Sequence, residues 1–211
     1  MNSLGDYLEK SPLIAILRGI KPEEAVAARN ALTGAGIRII EVPLNSPHPL
    51  ESLRLLAAET DTQTLIGAGT VLTVDEVYAV AETGARLIVA PNADPAVIAR
   101  AKSLGLFCLP GVATPNEAFA ALKAGADGLK LFPAETLPPA VMKAWLAVLP
   151  AGTLLVPVGG ISMENMAGYR AAGAAGFGIG SSLYKPGVSA AELKERADKF
   201  MRHYREIGSR P

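Results

Sequence analysis

Along the chain, short runs of apolar, mostly β-branched residues alternate with longer stretches of helical period. The runs begin near Leu13 (LIAILR), Ile37 (IRIIEV), Thr64 (TLIGAGT), Leu87 (LIVA), Phe107 (FCLP), Gly128 (GLKLF), Leu154 (LLVPV) and Gly176 (GFGIG), and each predicts a buried strand. Between them, segments such as Glu23 to Leu32, Val74 to Ala81 and Glu117 to Ala124 carry the Ala, Leu and Glu spacing of amphipathic helices. Gly34, Gly84, Gly105, Gly125 and Gly173 stand where helices would end, because glycine accepts the left-handed conformation that closes a helix. From Ser189 to Arg205 a last amphipathic helix is predicted, with Leu193, Ala197, Phe200 and Tyr204 on one stripe.

A helix-to-strand junction recurs as AGI at 35, TGA at 83, LGL at 104 and AGA at 124 and 172, roughly the period of one βα unit. Strict alternation implies an α/β chain with parallel strands, and eight units predict a (β/α)8 TIM barrel carried by one domain over residues 1–211. A doubly wound sheet is the fallback. It needs a glycine-rich phosphate turn after the first strand, and LRGIKPEE does not match that pattern.

A length of 211 residues suits one such domain, and 50% apolar residues with 21 Gly and 16 Pro suit many short connections. Twenty basic residues offset twenty acidic ones, so no global field draws nucleic acid or an anionic membrane, and an anionic ligand must be met by local groups. The single cysteine, Cys108, cannot form an internal disulfide. It lies inside a strand and reads as core packing, while His48 and His203 are too far apart in sequence for a Cys/His metal motif, with His203 expected at the surface. MNSLGDYLEKSP lacks the apolar core of a signal peptide and no apolar run spans a bilayer, so a cytoplasmic, non-membrane protein is expected.

In a barrel of this kind the chemistry sits at the C-terminal ends of the strands. Those ends read, in order, Arg18, Glu41, Thr70, Pro91-Asn92, Pro110-Gly111, Lys130, Gly159-Gly160 and Gly180-Ser181-Ser182. Alternation turns Leu129 and Leu131 toward the helices and sends Lys130 inward with Phe132. Desolvation and a cation such as Arg18 would lower the Lys130 pKa and free a neutral amine able to attack a ketone. Glu41 shares inward parity with Ile39 and could shuttle protons beside that amine; the alternative is a salt bridge that only neutralises Lys130. Gly159, Gly160, Gly180 and Ser181, after the seventh and eighth strands, can cradle a phosphate with exposed N–H groups. In GAGT, residues 67 to 70, the glycines read as close packing inside the barrel.

The strings PLIAILRGI (12–20), EVPLNSP (41–47), LIGAGTVL (65–72), LIVAPN (87–92), LKLFPAE (129–135), PVGGI (157–161) and GSSLY (180–184) together resemble the class I 2-keto-3-deoxy-6-phosphosugar-acid aldolases, over about residues 12 to 187. The resemblance implies a lyase that cleaves a phosphorylated keto sugar acid to pyruvate and D-glyceraldehyde 3-phosphate. It implies Lys130 as Schiff-base lysine, Glu41 as acid/base, Thr70 with a cation on the pyruvyl carboxylate, Phe132 beside the imine, and Gly159, Gly160, Gly180 and Ser181 on the phosphate. It also implies no metal, no organic cofactor, and a homotrimer.

Two departures from the gluconate-type pattern bear on the substrate. Where gluconate enzymes read EVTLRT, this chain reads Glu41-Val42-Pro43-Leu44-Asn45-Ser46, and Arg18 can supply the missing cation. Val158 replaces the threonine that precedes the paired glycines and cannot hydrogen-bond a C4 oxygen, which favours 2-dehydro-3-deoxy-6-phosphogalactonate over its gluconate epimer, with dual specificity as the alternative. A phosphosugar isomerase or synthase on the same barrel, or a noncatalytic phosphometabolite-binding barrel, are the competing readings.

Overall fold

The computed structural model describes residues 3–58 and 62–208. It alternates strand and helix almost throughout: α1 (Leu4–Lys10), β1 (Leu13–Ile16), α2 (Pro22–Gly34), β2 (Ile39–Pro43), α3 (Pro49–Ala58), β3 (Leu65–Gly69), α4 (Val74–Ala81), β4 (Leu87–Val89), α5 (Pro95–Ser103), β5 (Phe107–Leu109), β6 (Gly111–Val112), α6 (Pro115–Lys123), β7 (Leu129–Leu131), α7 (Pro139–Leu146), β8 (Leu155–Pro157), α8 (Met163–Ala171), β9 (Phe177–Ile179) and α9 (Ala190–Gly208). All strand pairs are parallel, in one six-stranded sheet ordered β5-β4-β3-β2-β1-β9 and one three-stranded sheet ordered β6-β7-β8.

The fifth predicted strand is divided. Pro110 separates β5 from β6 because it has no N–H to give the ladder, although its carbonyl still accepts the Lys130 N–H at 2.9 Å. On the other side the two sheets meet through a parallel bridge between Val158 and Gly178, and Ala175 donates its N–H to the Leu155 carbonyl at 2.9 Å. The fold is thus an α/β layer of curled parallel sheet with helices outside, and the uninterrupted eight-strand ladder expected from sequence is replaced by two sheets sharing an interior.

Strand alternation sorts the apolar residues into two cores. Leu13, Ala15, Leu17, Ile40, Val42, Leu129 and Leu131 pack outward against the helices, whereas Ile14, Ile16, Ile39, Leu65, Leu87, Val89, Leu109 and Val156 fill the interior. Helix starts are set locally. Thr73 with Glu76 and Thr114 with Glu117 form capping boxes, and proline occupies the first turn of α2, α5, α6 and α7. Four of the predicted stop glycines, Gly84, Gly105, Gly125 and Gly173, have positive φ; α2 instead runs through Gly34 and turns at Gly36, at φ 93°.

The sequence pattern did not reveal α1. Ser3 and Asp6 form its capping box, and Leu4, Tyr7 and Leu8 are buried with the interior cluster, so this short helix plugs the end of the sheets where the strands begin. Tyr7 donates its hydroxyl to the Thr62 carbonyl at 3.1 Å and meets Phe107 edge-on at 6.0 Å. The terminal helix α9 buries Leu193, Ala197, Phe200 and Met201 against the outer core, and His203, expected at the surface, is half-buried on the same helix with a shielded Nε2. Cys108 is buried, and burial beside Asp127 pushes its thiol up to about 12, the state of an inert core residue.

Because α1 closes the end opposite the strand C-termini, Tyr7→Ala should lower folding stability by about 3 kcal/mol through the cavity it leaves, while kcat stays near that of the wild type. Urea unfolding and turnover on the same preparation check this; a large loss of turnover in still-folded protein would contradict the plug role.

Candidate active site

At the C-terminal ends of the strands lies a cavity of about 540 Å³. Nine of the ten residues expected to form the site line it: Arg18, Glu41, Lys130, Phe132, Val158, Gly159, Gly160, Gly180 and Ser181. Thr70 stands apart. It is half-buried at the end of β3 and is not part of the lining, and its backbone is held at φ 56°, an unusual conformation for a β-branched residue where the chain leaves the strand.

Lys130 occupies the centre of β7, between Gly111 of β6 and Val156 of β8 in register. Its flanking leucines belong to the outer core, so its own side chain points inward, where it is only 6% exposed. Burial lowers its pKa below the ordinary lysine value; Glu41 opposes the shift and Arg18 adds to it. The Phe132 ring lies 4.4 Å from Nζ, close enough to stabilise the cationic form of the nitrogen while excluding water from it.

Glu41, on β2 beside Ile16 and Gly67, is 2% exposed. A carboxyl fits there because the neighbouring strand is glycine: a methyl group on Gly69 would overlap the Glu41 carboxylate. Gly67 has a similar cause, since its Cα faces Leu87 with no room for a side chain, so close packing accounts for the GAGT glycines as expected. Burial pushes the Glu41 carboxyl up to about 7, against the pull of Lys130 and Arg18. Its Oε2 is buried without a hydrogen-bond partner among the described residues. Such an atom is costly unless something at the site uses it, which argues against a carboxylate placed only to neutralise Lys130.

Arg18 continues β1 into the mouth and is exposed there. Its Nη1 donates to Asn45 Oδ1 at 2.7 Å, so Asn45, one of the residues that departs from the gluconate-type string, fixes the guanidinium. Sequence reasoning missed that partnership, and it also missed the cavity positions of Glu135, Ser162, Tyr184 and Lys185. A clue was available for Glu135, which lies in the LKLFPAE string just beyond the strand that carries Lys130.

Across the cavity, Gly159 and Gly160 turn at φ 99° and 63° after β8. After β9, Leu183 and Tyr184 donate their N–H groups back to the Gly180 carbonyl at 2.9 and 3.0 Å, and Ser182 Oγ donates to the Ile161 carbonyl at 3.1 Å, tying the two loops together. No acceptor among the described residues takes the N–H of Gly160, Ser181 or Ser182. Backbone amides left without an acceptor, beside Lys185 in the same lining, are groups an anion can use. No group of three or more His, Cys, Asp and Glu placed to hold a metal occurs among the described residues, nor any helix long and apolar enough to cross a membrane.

Residues 4–198 match the family model described as KDPG and KHG aldolase. A protein of Rhizobium meliloti (strain 1021) named "Probable 2-dehydro-3-deoxy-6-phosphogalactonate aldolase" is 52% identical over 186 residues, covering 88% of both chains. The Escherichia coli (strain K12) protein named "2-dehydro-3-deoxy-6-phosphogalactonate aldolase" is 46% identical over 197 residues, covering 93% of this chain and 96% of the other. A solved structure described as "Native KDPGal structure" superposes with a TM-score of 0.93 at 45% identity, over 95% of this chain and 98% of that one.

The raised Glu41 carboxyl has a consequence for stability. Between pH 4.5 and about 7 the folded protein keeps a proton that the unfolded chain has released, so stability falls as pH rises through that interval. Glu41→Gln has no such titration. The stability difference between wild type and variant, from urea unfolding at stepped pH, should therefore decline from pH 4.5 to 7; parallel curves would show that Glu41 titrates normally.

Proposed function

The chain belongs to the KDPG and KHG aldolase family, and we propose that it is a Schiff-base lyase cleaving 2-dehydro-3-deoxy-6-phosphogalactonate to pyruvate and D-glyceraldehyde 3-phosphate. One observation carries the mechanism: a desolvated lysine and a desolvated carboxyl share the buried floor of one cavity, and burial drives each toward its neutral form. A neutral amine can attack a ketone, and a neutral acid can supply the proton that expels water.

The Lys130 amine adds to the C2 carbonyl, giving a carbinolamine whose hydroxyl leaves as water once protonated by Glu41. The resulting iminium withdraws electrons from C3. Deprotonation of the C4 hydroxyl, by Glu41 directly or through a water, breaks the C3–C4 bond, releases the aldehyde and leaves an enamine. Protonation at C3 and hydrolysis then return the amine and free pyruvate. With its pKa near 7, Glu41 can both give and take a proton at neutral pH. Phe132 packs beside the cationic imine, as its position over Nζ supports. Arg18, oriented by Asn45, binds the pyruvyl carboxylate. Gly159, Gly160, Gly180 and Ser181 bind the phosphate. Thr70, which directly follows β3 and the Gly69 that flanks Glu41, joins Arg18 on the pyruvyl carboxylate in this reading.

Val158 supports the galactonate epimer, since it stands 6% exposed at the cavity wall with no group to hydrogen-bond a C4 oxygen. The names of the two relatives agree with this choice. We further read residues 1–211 as one domain and its two sheets as a single (β/α)8 TIM barrel with β5 and β6 counted as one strand, a reading supported by the Val158–Gly178 bridge. A homotrimer is inferred from the family resemblance, and exposed Tyr78 and Phe119 offer apolar surface for such contacts.

Incubation with pyruvate and borohydride should attach a reduced pyruvyl group to Lys130, found by peptide mass mapping, and Lys130→Ala should abolish both the adduct and turnover. Active protein without the adduct would exclude the imine. For the substrate, kcat/KM should favour the galactonate epimer, and Val158→Thr should shift the ratio toward gluconate by roughly tenfold. An epimer ratio indifferent to residue 158 would remove Val158 from the specificity argument.

A further inference from the structure

Glu135 lies in a one-turn 3-10 helix, Ala134–Thr136, directly after the strand end that carries Lys130 and Phe132. It is exposed to the cavity rather than buried in the wall. The turn is anchored to the neighbouring strand end, since Ala134 donates its N–H to the Val158 carbonyl at 2.9 Å and accepts the Tyr169 hydroxyl at 2.7 Å. The turn carries the carboxylate over the paired glycines: a methyl group on Gly159 would stand 2.7 Å from Oε2, and one on Gly160 2.9 Å from Oε1. The Gly-Gly pair therefore does more than turn the chain, because its missing side chains leave the room that the Glu135 carboxylate occupies.

The order of groups around the mouth gives that carboxylate a ligand. Lys130 holds C2 at the end of β7, and the turn amides after β8 and β9 hold the phosphate on C6. Between them stands the end of β8 at Val158, from which the Gly159–Gly160 turn leads to the phosphate. A six-carbon chain joining the two anchors must cross this strand end with its middle carbons. The C4 oxygen is committed to the Glu41 side, where its proton is removed. Among the groups that cross β8, the C5 hydroxyl is left needing an acceptor, and Val158 offers none. A carboxylate is an acceptor only, and a hydroxyl is the donor it suits.

We propose that Glu135 accepts a hydrogen bond from the C5 hydroxyl of the substrate, the C2 hydroxyl of D-glyceraldehyde 3-phosphate, and so selects hydroxylated aldehyde phosphates. This rests on the lyase reading above and adds a substrate contact to it. Glu135 touches no reacting atom, so its loss spares imine chemistry and weakens the hold on one half of the substrate.

The test runs the reaction in the condensation direction with pyruvate and two aldehydes, D-glyceraldehyde 3-phosphate and 3-phosphooxypropanal, which lacks only that hydroxyl. In the wild type the hydroxylated aldehyde should have the higher kcat/KM. Glu135→Ala should lower kcat/KM for it by roughly 10- to 100-fold, the range for a hydrogen bond to a charged group, and leave 3-phosphooxypropanal within about twofold of the wild-type value. The second aldehyde reports on folding and the imine step in the same variant. Glu135→Gln, which keeps an acceptor of the same shape, should show a smaller loss confined to the hydroxylated aldehyde.

Equal losses with both aldehydes would make Glu135 a mere support of the glycine turn, and unchanged values with both would remove it from recognition. Either result overturns the proposal. If the wild type neither condenses pyruvate with either aldehyde nor traps it on Lys130, the lyase reading itself falls, and this contact falls with it.

Discussion

Two ionisable side chains that share one dehydrated space set the terms for everything else in this molecule. Neither Lys130 nor Glu41 would be buried if folding stability alone decided, because taking a charge out of water costs several kcal/mol and an ion pair in such a place seldom returns it. Their carriers nevertheless leave no choice. The outward residues of β2 and β7, Ile40, Val42, Leu129 and Leu131, are locked into the helix-facing core, so alternation forces positions 41 and 130 inward. The apolar packing of the layer outside thus holds the polar pair within.

That constraint propagates into the neighbouring residues. Glu41 needs a glycine beside it, which Gly69 supplies, and the price in strand stability is borne by Leu65 and Ile66 on the same strand, both buried. The opposite end of the interior is closed by α1, which packs Leu4, Tyr7 and Leu8 into it. Only the mouth stays open, and there the groups change character. Arg18 is exposed and aimed by Asn45, and backbone amides face the cavity after β8 and β9. The gradient from an apolar floor to a cationic, amide-lined rim suits a ligand with a ketone at one depth and anionic groups nearer the surface.

Much of this was legible in the sequence, and the legible part has a common cause. Period-two alternation and the strand-end rule depend on neighbours in the chain, so the inward parity of Ile39, Glu41, Lys130 and Phe132 could be read without coordinates. The parts that were not legible depend on contacts distant in sequence. Pro110 divides a strand whose first part pairs with β4 and whose second pairs with β7, partners distant in sequence, and α1 is too short to show a helical period, seven residues recognised as structure only by the interior they plug. Thr70 looked equivalent to the other strand-end residues, and its positive φ of 56° just past β3 could not be read from the sequence. Arg18 was readable as a cation, but the 2.7 Å bond that orients it comes from a residue in the next βα unit.

Glu135 shows how one element can serve both fold and recognition. Its turn closes the end of β7 by bonding to β8 through Ala134, and Tyr169 of α8 pins it from behind by donating to the carbonyls of Ala134 and Leu137 at 2.7 and 3.2 Å. A backbone held this way fixes where the side chain starts, which is one part of the positioning a discriminating hydrogen bond needs. For Arg18 the contact is with the side chain itself, through Asn45. At the rim polar contacts do what packing does in the interior, and the rates of imine chemistry and the choice of substrate can be altered at separate positions.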